Sequence, residues 1–450
     1  MIRRLLIALD HRLAAASFAR RALNKVFPDH WSFMLGEIAL YAFIVLVLTG
    51  VFLSFFFDAS QADTVYHGAY GPLRGVGLSQ AYRSVLDLSL EIRAGLVMRQ
   101  AHHWAAIVFI ASIVVHLSRV FFTGAFRRPR DINWIIGVTL LILAIFNGFT
   151  GYSLPDDLLS GTGLRVAYSI ALSVPFIGTW IAYLVFGGEF PAEGIIPRLY
   201  SIHIMLVPIT IGILLGVHLA LVWHQKHTQY PEEGRTEDNV VGSRLWPSYA
   251  VKSVGLFLIV TGVVMALGGL VQTNPVWLYG PYDPAQVTSP AQPDWYLGWT
   301  EGALRLFPPW DVSGPQHEIP APFFPGVLLP GITFLLLYAW PFLEAWVTGD
   351  HLSHNLLDRP RDRPVRTALG TTTLAFYVVL LAAGSNDLIA KWLLVEVQDV
   401  TDTFRWLLIA LPVIAGLLTY LLLKALGRSG AERLTDMPAS ALFQALRREP

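Results

Sequence analysis

Eight predominantly apolar runs punctuate the chain, at about 34–57, 101–122, 132–154, 200–223, 251–271, 322–342, 367–385 and 404–426. Crossing the roughly 30 Å hydrocarbon core of a bilayer takes about 20 helical residues, so each run is long enough. In hydrocarbon every backbone N–H and C=O must be bonded within the segment, and a helix does this for a run of such length. Charged residues make up only 14% of the 450, against roughly 25% in soluble proteins. The expected fold class is therefore an all-α integral membrane protein with eight transmembrane helices, the first four forming a bundle. The stretch 156–190 is interrupted by Pro175, Gly178, Gly187 and Gly188 and is expected to form short helices on the outer surface. A formal net charge of zero gives no case for a nucleic-acid partner.

Lys and Arg set the orientation. With both termini cytoplasmic, the inner segments hold Arg3, Arg4, Arg12, Arg20, Arg21 and Lys25 before the first run, and Arg119, Arg127, Arg128 and Arg130 after the second. They also hold Lys226, Arg235, Arg244 and Lys252, then Arg359, Arg361, Arg363 and Arg366, and finally Lys424 and the arginines of the tail. The outer loops are longer and poorer in cations. Residues Met1 to Asn24 alternate arginine with leucine and show no small-residue cleavage site, so they read as an amphipathic helix on the inner membrane surface. The polar tail from Arg428 to Pro450 reads as peripheral.

Two of the apolar runs each carry a pair of histidines, His102 with His116 and His203 with His218. A helix turns about 100° per residue, so the fourteen-residue interval brings His116 back to within about 40° of His102, some 21 Å further along. The fifteen-residue interval from His203 to His218 overshoots by about 60°. His103 points about 140° away from His116 and leaves the pairing to His102. Two helices so marked can face each other and present histidine pairs at two depths, His102 with His203 nearer the outside and His116 with His218 nearer the inside. Paired neutral imidazoles across a planar macrocycle are what a low-spin haem iron needs. Cysteine is absent, which excludes a covalent C-x-x-C-H haem and Cys-ligated clusters, so two non-covalent b haems are expected.

Glycines repeat the same interval. Gly36 and Gly50 lie fourteen apart in the first run, Gly137 and Gly151 fourteen apart in the third, which would let a haem approach the flanking helices at both depths. Haem propionates are anionic and call for cations at the membrane edges; Arg99, Arg119 and Arg198 stand three before His102, three after His116 and five before His203.

These residues resemble the cytochrome b subunit of quinol:cytochrome c oxidoreductases, the cytochrome bc complexes. The likeness is carried by R-x-x-H-x13-H from Arg99 to His116, by the two glycine pairs, by G-Y-x-L-P at 151–155 and by Pro293–Asp294–Trp295–Tyr296. It extends from about residue 28 to 426. The segments Gln225–Gln229, Arg235–Glu237 and Asn239–Gly242 are similar to the actinobacterial branch, which generally uses menaquinol. The resemblance implies His102 and His203 as ligands of the outer haem and His116 and His218 of the inner one. It implies quinol oxidation at an outer site, one electron passing to a Rieske iron–sulfur partner and the other across both haems to reduce quinone near the inner face. A c-type cytochrome partner, a homodimeric complex in the bacterial plasma membrane and a further association with a terminal oxidase belong to the same expectation. The fifteen-residue interval departs from the mitochondrial pattern, and Pro208 within it can kink the helix and absorb part of the extra rotation.

Oxidising a quinol in an apolar pocket calls for a proton-accepting carboxylate, and Asp294 is the candidate. Pro293, Trp295 and Tyr296 are expected to line the same pocket, with Glu301, seven residues on, as a second carboxylate assisting proton exit. At the inner face the candidates are His224 and Lys252, with His227 and Asp238 as alternatives. The family commonly has an aspartate directly after the lysine; this chain has Ser253. Residues 1–230 form the expected haem-bearing half and 231–450 the half with the P-D-W-Y loop. A di-haem anchor of a quinone-linked dehydrogenase would also account for the histidines without needing that loop. A proton-coupled transporter would account for them without explaining the glycine intervals.

Overall fold

The structure is a computed structural model that describes residues 10, 12, 14–192, 194–286, 292–314 and 318–435. In the N-terminal segment Ala15–Leu23 is helical; residues 1–9, 11 and 13, with Arg3 and Arg4, Pro290 of the outer loop and the residues after 435 lie outside the described residues. Among them, eight helices are long and apolar enough to cross a membrane. They are α1 (Trp31–Ser54), α2 (Gly95–Phe122), α3 (Asp131–Tyr152), α4 (Ile195–Gln225), α5 (Leu245–Leu270), α6 (Phe324–Thr348), α7 (Pro364–Ala383) and α8 (Val397–Gly427). The all-α membrane architecture expected from the sequence is the one found.

Helices α1 to α4 enclose a common core of Ala39 and Ala42 from α1, Phe109 and Ile110 from α2, Leu140, Leu141 and Ala144 from α3, and Val207 and Ile211 from α4. These positions fall midway between the paired histidines and glycines of their helices. The two histidine levels are thus separated by an apolar layer in which the rings of Phe43 and Phe109 lie 5.6 Å apart. Small residues on α1 and α3 permit close helix approach, as in membrane bundles generally. Helix α5 packs against both α1 and α2, and α7 against α8. The other flanks of these helices expose large apolar side chains such as Leu258, Leu335, Ile409 and Val413, a surface suited to lipid.

Helix α4 departs from regular geometry. Residues Ile202–Leu206 form a π-turn, in which the Val207 N–H reaches back five residues to the Ile202 carbonyl. A π-turn accommodates one extra residue without advancing the helix face. Pro208 removes the N–H that would have bonded Ile204, four residues back. The surplus residue of the His203–His218 interval is therefore absorbed in the π-turn that starts beside His203, with Pro208 just beyond it.

On the side of His102 and His203, a short antiparallel pair (Asp63–Val65 with Gly77–Ser79) leads into a helix at Gln80–Leu90. Two further short helices, Leu158–Leu172 and Gly178–Phe186, follow α3. On the opposite side, Val26–Phe27 pairs antiparallel with Ser243–Arg244, joining the start of α1 to the start of α5. Gln229, fully buried, binds the loops there. Its amide donates to the Thr236 and Asn239 carbonyls, its side-chain oxygen accepts from the Val241 N–H, and its backbone bonds Asn355 and Leu357. Arg130 adds bonds to the carbonyls of His354, Gln225 and Lys226. The segments that resemble the actinobacterial branch therefore form a loop clasp.

Replacing Gln229 by Leu strands several of these buried groups, each costing about 1–3 kcal/mol. The expected result is a clearly lower Tm and faster proteolysis of the 230–242 loop, read by thermal unfolding and limited digestion; an unchanged Tm would contradict the clasp.

Candidate functional site

His102 on α2 faces His203 on α4 with ring centroids 6.2 Å apart and planes 73° from parallel. Both Nδ1 atoms are engaged. His102 Nδ1 lies 2.9 Å from Thr49 Oγ1, and that hydroxyl already donates to the Val45 carbonyl at 2.7 Å. His203 Nδ1 lies 3.0 Å from the Asn147 carbonyl oxygen and 3.2 Å from Thr150 Oγ1, which in turn donates to Asn147 O. In each case the partner can only accept, so Nδ1 carries the proton and Nε2 keeps its lone pair. This is how metal-ligating histidines are oriented. Thr49 and Thr150 were not singled out in the sequence, although each directly precedes one of the spaced glycines.

The glycines lie against the imidazoles. A Cβ on Gly50 would sit 3.2 Å from His102 Cε1, one on Gly36 3.2 Å from His116 Cε1, and one on Gly137 3.8 Å from His218 Cε1; on Gly151 it would collide with the His203 ring. Each glycine thus serves one histidine, which refines the expectation that they clear space for a macrocycle.

These residues fit haem. Two imidazoles on opposite sides of one metal, with bonds of about 2.0 Å each, have ring centroids about 6 Å apart, the separation seen for His102 and His203. Among the described residues no group of three or more His, Cys, Asp or Glu could hold a metal ion. Arg99 Nε, and Nε and Nη2 of Arg119, are buried without a partner, as expected of cations awaiting an anion. Arg119 also stacks over Phe33 at 4.4 Å.

A cavity of about 340 Å³ opens beside the outer pair. Its lining includes His102, His203, Gly50, Gly151, Arg99, His103, Asp157, Asp294 and Tyr296. Asp294 occupies the N-cap position of the Trp295–Leu306 helix without a side-chain bond to its backbone. Its Oδ1 lies 2.8 Å from His103 Nε2, and its Oδ2 accepts from the Tyr296 hydroxyl at 2.8 Å. The rotation that removes His103 from the ligand face turns it toward this carboxylate. Tyr296 is 2% exposed, its ring admitted by Gly148, where a Cβ would stand 2.6 Å from the hydroxyl. Burial, and then the neighbouring Asp294, push its phenol well above the ordinary range. Asp157 is a second carboxylate here, unrecognised in the sequence. It caps the Leu158–Leu172 helix through Ser160, and burial raises it to about 6 against the pull of Ser160 and Arg99.

Four residues expected at the outer site do not line the cavity. Arg198 is exposed and donates to the Leu184 carbonyl beside Gly187, so it braces a surface helix. Glu301 accepts from Arg305 Nε at 2.9 Å, and Arg305 also binds Asn386 and Asp387. Trp295 packs toward the bundle core, and neither it nor Pro293 is among the residues lining the cavity. At the opposite end, His224 is exposed and Lys252 pairs with Asp29 at 2.7 Å. His227 packs on Phe27 at 4.6 Å; burial and the nearby cations Lys25, Arg130 and Arg119 lower it to about 4. Asp238 is exposed, and its backbone carbonyl accepts from Lys226.

Known proteins resemble this chain in sequence and fold. A family model described as Cytochrome b(N-terminal)/b6/petB matches residues 107–281. The chain is 55% identical to the cytochrome bc1 complex cytochrome b subunit of Mycobacterium tuberculosis over 92% of its own length and 75% of that protein's. Against the subunits of the same name from Corynebacterium efficiens and Streptomyces coelicolor the identities are 51% and 47%, covering 95% and 97% of this chain and 79% and 80% of theirs. A solved structure titled Hyperthermophilic respiratory Complex III shares the fold with a TM-score of 0.66 at 18% identity, over 92% of this chain and 99% of that one. The chain belongs to the cytochrome b family, as the cytochrome b subunit of a bc1 complex, the quinol:cytochrome c oxidoreductase of respiratory complex III.

Proposed function

We propose that this subunit oxidises quinol, menaquinol in its lipid setting, in the cavity beside His102 and His203, and supports quinone reduction near the opposite face. The family implies haem b; bound at two depths it supplies one-electron acceptors and donors. In this reading His102 and His203 hold the outer haem and His116 and His218 the inner one, with Arg99 and Arg119 meeting the propionates. Quinol gives up two electrons and two protons. One electron leaves to a Rieske iron–sulfur partner and on to a c-type cytochrome subunit; the other crosses toward the inner face. Residues 1–230 are then the haem-bearing half and 231–450 the half that brings the P-D-W-Y segment. The basic inner segments favour cytoplasmic termini in a bacterial plasma membrane, and the complex is read as a homodimer, with a terminal oxidase as a further partner.

The observation that carries this reading is Asp294, held between His103 and Tyr296 in the same cavity as the outer imidazoles. A carboxylate so placed can accept a quinol hydroxyl proton while His103 and Tyr296 fix its direction. A dehydrogenase anchor or a transporter gives no reason for that constellation.

Asp294→Asn keeps the shape and removes the base. Quinol:cytochrome c reductase activity of the complex should fall by about 100-fold or more with both b haems retained; full activity would overturn the assignment. The glycines supply a second check. Gly151→Ala, whose Cβ would collide with His203, should cost the complex its outer haem, whereas Gly137→Ala, with 3.8 Å of clearance, should keep both. Pyridine haemochrome quantitation reads the difference, and equal haem content in the two variants would contradict it.

A further inference from the structure

Helix α1 carries a carboxylate within its apolar span, Glu37, directly after the glycine that faces His116. Its partners are three hydroxyls. Tyr249 donates to Oε1, Ser253 donates to Oε2 at 2.7 Å, and Tyr41 donates to Oε2 at 3.1 Å. Tyr41 and Ser253 also bond each other across the α1–α5 contact. One residue from Ser253, Lys252 reaches the exposed Asp29 at 2.7 Å, and Asp29 accepts from Ser243. An ionisable group inside a spanning helix is costly and marks function by default. Here its bonding partners are all groups that can both donate and accept.

The same contact resolves the departure noted in the sequence. Where the family commonly has an aspartate after the lysine, this chain has Ser253, and the carboxylate bonded to that serine comes from the facing helix. We propose that Glu37 is the proton-donating carboxylate of the inner quinone-reducing site, displaced across the α1–α5 contact from position 253 to position 37. The proposal rests on the inner-site reading above. The chemistry balances as quinone plus two electrons plus two protons giving quinol. The electrons are those crossing from quinol oxidation. One proton passes from the Glu37 carboxyl to one quinone oxygen and the second from the inner aqueous phase to the other oxygen; Glu37 is then reprotonated from that same side, where Asp29 and Lys252 stand at the surface. The hydroxyls of Tyr41, Tyr249 and Ser253 hold the carboxylate while it is charged and turn to accept when it is protonated.

The test uses the intact complex with its b haems chemically reduced beforehand, the excess reductant removed and an outer-site inhibitor present, and follows haem reoxidation by an added short-chain menaquinone analogue at the inner site across pH. Glu37→Gln, nearly isosteric, should slow this reaction at least 10-fold and flatten its pH profile while both b haems remain bound. The exchanged pair Glu37→Ser with Ser253→Asp should recover most of the rate, which helix-to-helix bonding alone does not predict. A Glu37→Gln complex with the wild-type rate and pH profile would overturn the role of Glu37 and leave the inner site standing. A wild-type complex that reduces no quinone at this face would overturn the inner site itself, and the role of Glu37 with it.

Discussion

The structure depends on holding four imidazoles still inside a bundle that offers them almost no polar company. A membrane helix has already used its backbone groups on itself, so a histidine projecting from it needs a partner from a neighbouring helix or a ligand. At the outer level the partners are Thr49 on α1 and the Asn147 carbonyl, with Thr150, on α3. They fix the protonated nitrogen and leave the other facing inward. At the inner level His116 Nδ1 is buried without a partner. Glycine opposite each ring removes the side chain that would otherwise fill the space, and an apolar layer around Phe109 and Ile110 keeps the two levels apart.

Much of this was legible in the sequence because helical periodicity is rigid. Fourteen residues in α2 define one face whatever else the chain does, and the glycine intervals in α1 and α3 echo it. The fifteen-residue interval in α4 was legible as an anomaly and Pro208 as part of its remedy, but the π-turn itself was not, since it leaves no further mark in the sequence. All eight spans were read from the sequence, apolar length being the physical requirement itself, with their ends placed up to seven residues away.

What sequence reasoning missed depends on contacts between distant segments. His103 was set aside as pointing the wrong way, yet that direction meets Asp294, 191 residues later. Glu301 was singled out as a carboxylate, but its ion pair with Arg305, itself bonded to Asp387, could not be read from the sequence. Arg198 stood near His203 in sequence but turns to the Gly178–Phe186 helix. Glu37 was invisible because a lone glutamate in an apolar run acquires meaning only beside Ser253 and Tyr249.

The central claim is that four histidines hold two haems at two depths. The most direct measurement is a dithionite-reduced minus oxidised spectrum of the purified complex, with pyridine haemochrome quantitation per cytochrome b chain. Two b haems per chain, one lost in His102→Ala and the other in His116→Ala, is the predicted result. A well-folded complex whose b-haem content is unchanged by both substitutions would contradict it.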